Sequence, residues 1–156
     1  MTVILKWKQL DPESTLPEYM STGASGMDIR ACLTNRALYP YRNMTIKPGE
    51  TVAIPTGLAV EIPEGYEIQI RPRSGLSLIT KLRIANSPGT IDSDYRGEIK
   101  ILMDHIGPLT SPDFQIEHGD RIAQIIIAPI THVINKYADN LTDTDRGPSG
   151  FGSTGK

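Results

Sequence analysis

Two arginines and a serine stand together in Arg71-Pro72-Arg73-Ser74-Gly75-Leu76, where an alternating strand pattern gives way to a short helical one. Two guanidinium groups and a hydroxyl beside the unpaired amides of a helix start can hold an anion. The same residues also read as a surface strand followed by a Ser74 helix cap. Pro88 to Glu98 reads as a hairpin bearing two acids, Asp92 and Asp94, and an aromatic, Tyr95. Acids at i and i+2 share a face in a strand and separate in a turn, so the pair offers either a base or ordinary turn residues. Gly119-Asp120-Arg121-Ile122-Ala123-Gln124 is explained by a Gly-Asp turn entering a strand. Beyond Ala138 the large apolar residues are Leu141 and Phe151, a composition that cannot bury itself. That tail reads as a disordered terminus or as a segment closing over a ligand. In the second case Phe151 supplies a stacking face, Arg146 a charge and the glycines free amide donors.

Several chemistries drop out. Gly150 to Lys156 fits the first seven positions of a P-loop, but that motif needs a preceding strand, a following helix and a Ser or Thr after the Lys. His105, His118 and His132 are isolated from any Cys or His at ligand spacing, which argues against zinc. No Gly-x-Ser-x-Gly elbow is present. Sixteen basic against 18 acidic residues give a net charge of −2, unlike the basic field of a general nucleic-acid or anionic-membrane binder. The single cysteine, Cys32, suits a reducing cytoplasm and reads as a buried apolar residue rather than a nucleophile. The N-terminal apolar run is too short for a signal peptide. Ile122 to Ile130, interrupted by Gln124 and Pro129, falls short of the roughly 18 residues that span a bilayer.

The elements that must position these residues are mostly strands. At 156 residues, with 14 Gly and 12 Pro, the chain suits one domain. Tyr66, Ile68 and Ile70 alternate with Glu67, Gln69 and Arg71, and Ile99 and Ile101 with Glu98 and Lys100. Val3–Trp7, Thr51–Ile54, Leu58–Ile62 and Arg121–Ala128 are further expected strands, bounded by turn formers such as Pro63-Glu64-Gly65. One helix of about two or three turns is expected from Ser74, with Leu76, Ile79 and Leu82 on its apolar face. Many short strands with few helices predict a β-sandwich or barrel. The expected division is a β-rich core over 1–138 and a flexible lid over 139–156.

Taken together, these segments resemble the trimeric deoxyuridine triphosphatase (dUTPase) family, whose five motifs occur here in the family's order. Motif one is similar to Ser25-Gly26-Met27-Asp28-Ile29-Arg30-Ala31, motif two to Arg71–Leu76, and motif three to Gly89-Thr90-Ile91-Asp92-Ser93-Asp94-Tyr95-Arg96-Gly97. Motif four is similar to Gly119–Gln124, and motif five to Arg146-Gly147-Pro148-Ser149-Gly150-Phe151-Gly152-Ser153-Thr154-Gly155. Ser149 stands where the family usually has Gly, a departure that implies weakened lid closure at most.

The resemblance implies an all-β, jelly-roll-like fold and a cytoplasmic homotrimer with three shared active sites. It further implies Mg²⁺-dependent hydrolysis of dUTP to dUMP and pyrophosphate, which limits uracil incorporation into DNA and supplies dUMP for thymidylate synthesis. By resemblance Asp92 is the general base for water attacking the α-phosphorus, and Asp94 is structural. Tyr95 packs beneath deoxyribose and excludes a 2′-hydroxyl, Ile91 adds apolar contact, and Asn86 stands beside the backbone that reads uracil. Arg73, Ser74, Gly75 and Gln124 meet the phosphates, while Asp28 supports the metal's water shell indirectly. In motif five, Phe151 covers the uracil while Arg146, Gly152, Ser153 and Thr154 serve the γ-phosphate end. Motifs one, two and four are expected from one subunit, motif three from a second and the tail from a third. Two other readings remain open at this stage. One is a dCTP deaminase-type relative, for which Glu98 is a candidate carboxylate by position; the other is a nucleotide-sensing trimeric module.

Overall fold

The computed structural model describes residues 2–150. Among them the chain forms eleven strands and one short helix. In order these are β1 (Lys6–Gln9), β2 (Met27–Arg30), β3 (Asn43–Ile46), β4 (Thr51–Pro55), β5 (Leu58–Glu61), β6 (Tyr66–Arg71), α1 (Ser74–Ile79), β7 (Leu82–Ile84), β8 (Gly89–Ile91), β9 (Lys100–His105), β10 (Phe114–Glu117) and β11 (Arg121–Pro129). Every named pairing is antiparallel. A four-stranded sheet runs β2-β11-β6-β8 and a three-stranded one β4-β9-β7, with the pairs β1-β5 and β3-β10 completing the set. The jelly-roll-like expectation is borne out.

The inward faces meet in one apolar cluster. The four-stranded sheet contributes Ile29, Ile68, Ile70, Ala123 and Ile125, and the three-stranded sheet Ile54, Ile101, Met103, Leu82 and Ile84. Val60, Ile46 and Ile116 enter from the two-stranded pairs. Each fully buried isoleucine or leucine is worth about 1.5–3 kcal/mol of transfer free energy. The alternation of β6 is what divides the sheet into faces. Ile68 and Ile70 go inward, while Glu67, Gln69 and Arg71 face out, and their cross-strand partners on β11 follow the same division.

Two elements differ from the sequence expectation. Val3, Leu5 and Trp7 do alternate inward, but ladder pairing begins only at Lys6, where Lys6 Nζ meets Glu61 Oε1 at 2.7 Å. The helix has six residues, with Arg73 at its N-cap and no side-chain capping bond, so Ser74 is not the cap. Leu82, 1% exposed, belongs to β7, whereas Ile79 is 80% exposed. Thr80 ends the helix, its hydroxyl donating to the Leu76 carbonyl at 2.6 Å and accepting the Leu82 N–H at 3.1 Å. That exchange turns the chain from helix into strand within two residues.

Cys32 is buried, and burial followed by the nearby Asp11 charge pushes its thiol up to about 11. At neutral pH it is therefore a protonated packing group, not a nucleophile. His105 and His118 each accept a backbone N–H at Nδ1, from Gly107 and Leu33 respectively, both at 3.1 Å. Among the described residues no helix is long and apolar enough to cross a membrane. After β11 the chain leaves the core: residues 131–149 are all exposed, Ile134 and Tyr137 included.

Candidate active site

Motifs one, two and four meet on the outward face of the four-stranded sheet. In the ladder Asp28 of β2 faces Gln124 of β11, which faces Arg71 of β6, so the three side chains project from one row. Asp28 Oδ2 accepts from Arg73 Nε and from Arg121 Nη1, both at 3.1 Å. Arg73 Nη1 also donates to the Arg121 carbonyl at 2.9 Å. The Asp28 side chain is only 14% exposed, which strengthens these charge-assisted bonds over those of a surface pair. Two guanidinium groups against one carboxylate leave the cluster one unit positive. It is a prepared place for an anion, with both arginines held in a fixed direction before any ligand arrives.

Gln124 is held as firmly. Its Nε2 donates to the Pro72 carbonyl at 2.8 Å, and its Oε1 lies 2.5 Å from where a Cβ on Gly26 would stand. Only glycine at position 26 lets β2 lie that close to the amide. A register shift between Arg121 and Ala123 breaks the β2-β11 ladder beside this point. It lets Ile122 and Ala123 both point inward while Arg121 turns out to Asp28. Arg71, by contrast, is exposed and turned onto Gln69 Oε1. Ser74 and Gly75 are exposed at the start of α1, and open space surrounds Gly75.

Motif three builds the second part of the site. A cleft of about 370 Å³ is lined by Asn86, Thr90, Ile91, Asp92, Tyr95, Glu98, Lys100 and Leu102. That volume lies in the range of small-molecule sites. Four sequence-predicted residues, Asn86, Ile91, Asp92 and Tyr95, thus share one concavity. The Asn86 side chain lies over Gly89, and Ile91 rests against the core. The turn separates the two acids: Asp92 lines the cleft, and Asp94 is exposed outside it. The Tyr95 ring folds back on its own main chain, its hydroxyl donating to the Glu98 carbonyl at 2.9 Å.

Within one chain the two parts stay apart. Ile91 of β8 pairs with Ile68 of β6, three residues along the strand from Arg71, while Asp28 lies three strands across. At about 3.3 Å per residue and 4.8 Å per strand, the Asp28 and Ile91 backbones are ~17 Å apart. The tail residue Arg146 is exposed, its Nε donating to the Ser149 carbonyl at 2.8 Å in a local turn. Phe151, Gly152, Ser153 and Thr154 lie outside the described residues. Arg121 was missed as a site residue by sequence reasoning, and Glu98 was considered only as a deaminase carboxylate. Arg121 was already inside motif four, but its partners Asp28 and Arg73 lie 93 and 48 residues away, so no local signal marks it. Glu98 is engaged structurally, accepting the Gly57 N–H on Oε1 at 2.9 Å.

Comparisons with known proteins point to one family. The dUTPase family model matches residues 13–155. The deoxyuridine 5′-triphosphate nucleotidohydrolase of Rhizobium meliloti (strain 1021) is 51% identical over 140 residues, which cover 90% of this chain and 82% of that one. A mutant of the Staphylococcus bacteriophage 80alpha dUTPase with dUpNHpp superposes with a TM-score of 0.86 at 28% identity, over 99% of this chain and 100% of that one. A phage phi11 dUTPase mutant from S. aureus, described with a structural Mg(II) ion, gives a TM-score of 0.76 at 26% identity, covering 88% and 97%.

Proposed function

The chain belongs to the dUTPase family, and from that premise we propose that it hydrolyses dUTP to dUMP and pyrophosphate at sites shared between copies of itself. The observation that carries this reading is the motif-three cleft, which gathers Asp92 with Asn86, Ile91 and Tyr95. Uracil and deoxyribose occupy that cleft. Tyr95 and Ile91 give the sugar an apolar floor with no room for a 2′-hydroxyl, and the hairpin backbone beside Asn86 reads the base. A base with the wrong donor and acceptor edge would leave buried polar groups unpaired.

Asp92 takes a proton from a water whose oxygen forms a new bond to the α-phosphorus. The bond from that phosphorus to its bridging oxygen breaks, and the electron pair leaves with pyrophosphate. Arg73, Ser74, Gly75 and Gln124 hold the phosphates, drawing on the positive Asp28–Arg73–Arg121 cluster. Both Asp92 and this cluster must approach one triphosphate, and ~17 Å separates their backbones in a single chain. A homotrimer resolves this by setting motif three of one copy against motifs one, two and four of another, with motif five from a third. Arg146, Phe151, Gly152, Ser153 and Thr154 then close over the nucleotide and shut out bulk water.

The residues fit a magnesium ion carried mainly by substrate. Among the described residues no group of three or more His, Cys, Asp or Glu is placed to hold a metal. Mg²⁺ commonly keeps its waters and binds through one or two carboxylates and substrate phosphates. Asp28, whose Oδ2 already accepts from both arginines, would support the ion's water shell indirectly. When bound, the ion neutralises charge on the triphosphate.

The test is incubation of the purified protein with Mg²⁺ and each of dUTP, dCTP, dTTP and UTP, scoring pyrophosphate and ammonia separately. The expected result is dUMP and pyrophosphate from dUTP alone. Ammonia from dCTP would establish a deaminase instead, and binding of dUTP without turnover would leave a sensor.

A further inference from the structure

We propose that Glu98 is a positioning residue for sugar discrimination: its carboxylate fixes the backbone that orients Tyr95. This rests on the dUTPase reading and assigns a role within it to a residue outside the phosphate and base contacts.

The geometry is a set of four hydrogen bonds. The Tyr95 hydroxyl donates to the Glu98 carbonyl at 2.9 Å, so the ring direction is set by where that carbonyl points. The ring lies so close over Gly97 that a Cβ there would stand 2.6 Å from Cζ, which holds the aromatic against its own main chain. The Glu98 side chain then ties this segment to a different part of the fold. Its Oε1 accepts the N–H of buried Gly57, between β4 and β5, at 2.9 Å. Immediately downstream, Thr56 Oγ1 donates to the Ile99 carbonyl at 2.7 Å and the Ile99 N–H donates to the Leu58 carbonyl at 2.8 Å. Residues 92–97 outside β8 and β9 have no ladder of their own. The leg that carries Tyr95 is therefore anchored by main-chain bonds at Ile99 and by the Glu98 carboxylate one residue before it.

The side chain also separates two concavities. Glu98 and Lys100 line both the 370 Å³ cleft and a neighbouring cavity of about 310 Å³ that contains Leu38, Tyr39 and Pro55. Without the carboxylate the Gly57 N–H loses its acceptor, and the leg gains room to move toward the second cavity. The Tyr95 ring would follow its carbonyl, opening the floor beneath the sugar. Hydrolysis depends on Asp92, on the other side of the turn, whereas exclusion of ribose depends on where the ring sits. Loss of the Glu98 tie should therefore affect selectivity more than turnover.

The experiment measures kcat/KM for dUTP and UTP in the wild type and in Glu98→Ala, Glu98→Asp and Glu98→Gln. Glu98→Ala removes the acceptor, and Glu98→Asp keeps the charge but falls short of Gly57. Both should lower the dUTP to UTP ratio about tenfold, through improved use of UTP. Glu98→Gln keeps an Oε1 acceptor and should hold the ratio within about twofold, since a carbonyl oxygen accepts as a carboxylate does. An unchanged ratio in Glu98→Asp overturns the proposal even if Glu98→Ala fails to fold. A loss in Glu98→Gln as large as in Glu98→Asp also overturns it, because the tie needs only an acceptor oxygen at that reach. A wild type inert toward dUTP would instead sink the functional reading on which the proposal rests.

Discussion

Asp92→Asn leaves a folded protein whose kcat for dUTP falls about a thousandfold, within the range that a positioned general base contributes. The amide occupies the same volume but cannot accept the proton of the attacking water. Asp92 is exposed at the mouth of the cleft and makes no side-chain bond to the described residues, so the exchange removes no packing. KM should change little, because uracil, sugar and phosphates are held by other groups. Steady-state kinetics with a thermal melt check both halves. A variant retaining more than a tenth of the wild-type kcat shows that another group moves the proton.

Deletion of residues 146–156 separates binding from closure. Residues 131–149 are exposed and β11 ends at Pro129, so the truncated chain keeps the whole apolar cluster. Its melting temperature should stay within about 2 °C of the full-length protein, since none of the buried core residues is removed. Its kcat/KM for dUTP should fall about a hundredfold, because the γ-phosphate contacts and the exclusion of bulk water go together. Size-exclusion chromatography with light scattering should still report a trimer. A monomeric or unfolded product would show that the segment holds the assembly together rather than closing it.

The parts of this molecule that were legible in the sequence are those with a local repeat. β4, β5, β6 and β11 follow alternation or β-branched runs, and each lies within about two residues of its expected bounds. Shorter strands carried no such pattern. β2, β3, β7, β8 and β10 have three or four residues apiece and, unlike the equally short β5, were not marked by an apolar run between turn formers. Leu82 was drawn into the helix because it stands three residues after Ile79, a spacing that suits either element. The structure places it in β7, where Thr80 has already ended the helix.

The site divides in the same way. Asp92, Tyr95, Ile91 and Asn86 are close in sequence and share a cleft in the fold. The bonds of Asp28 to Arg73 and Arg121 span 45 and 93 residues, so only the β2-β11-β6 register makes them neighbours. In the sequence Glu98 stood out only as a candidate carboxylate for deamination, by position. Its role comes from a backbone N–H 41 residues away, which no pattern of side-chain types encodes.

The shared site is tested most directly by mixing subunits. Asp92→Asn chains with intact tails and tail-deleted chains with intact Asp92 are each nearly inactive alone. Unfolded together in equal amounts and refolded, they form trimers at random. If the base and the tail reach a given site from different copies, each mixed trimer holds one complete site of three. Three quarters of the trimers are mixed, so the expected activity is about a quarter of the wild-type value. Activity no higher than the sum of the two parents would show that one chain supplies both groups, and the site would not be shared.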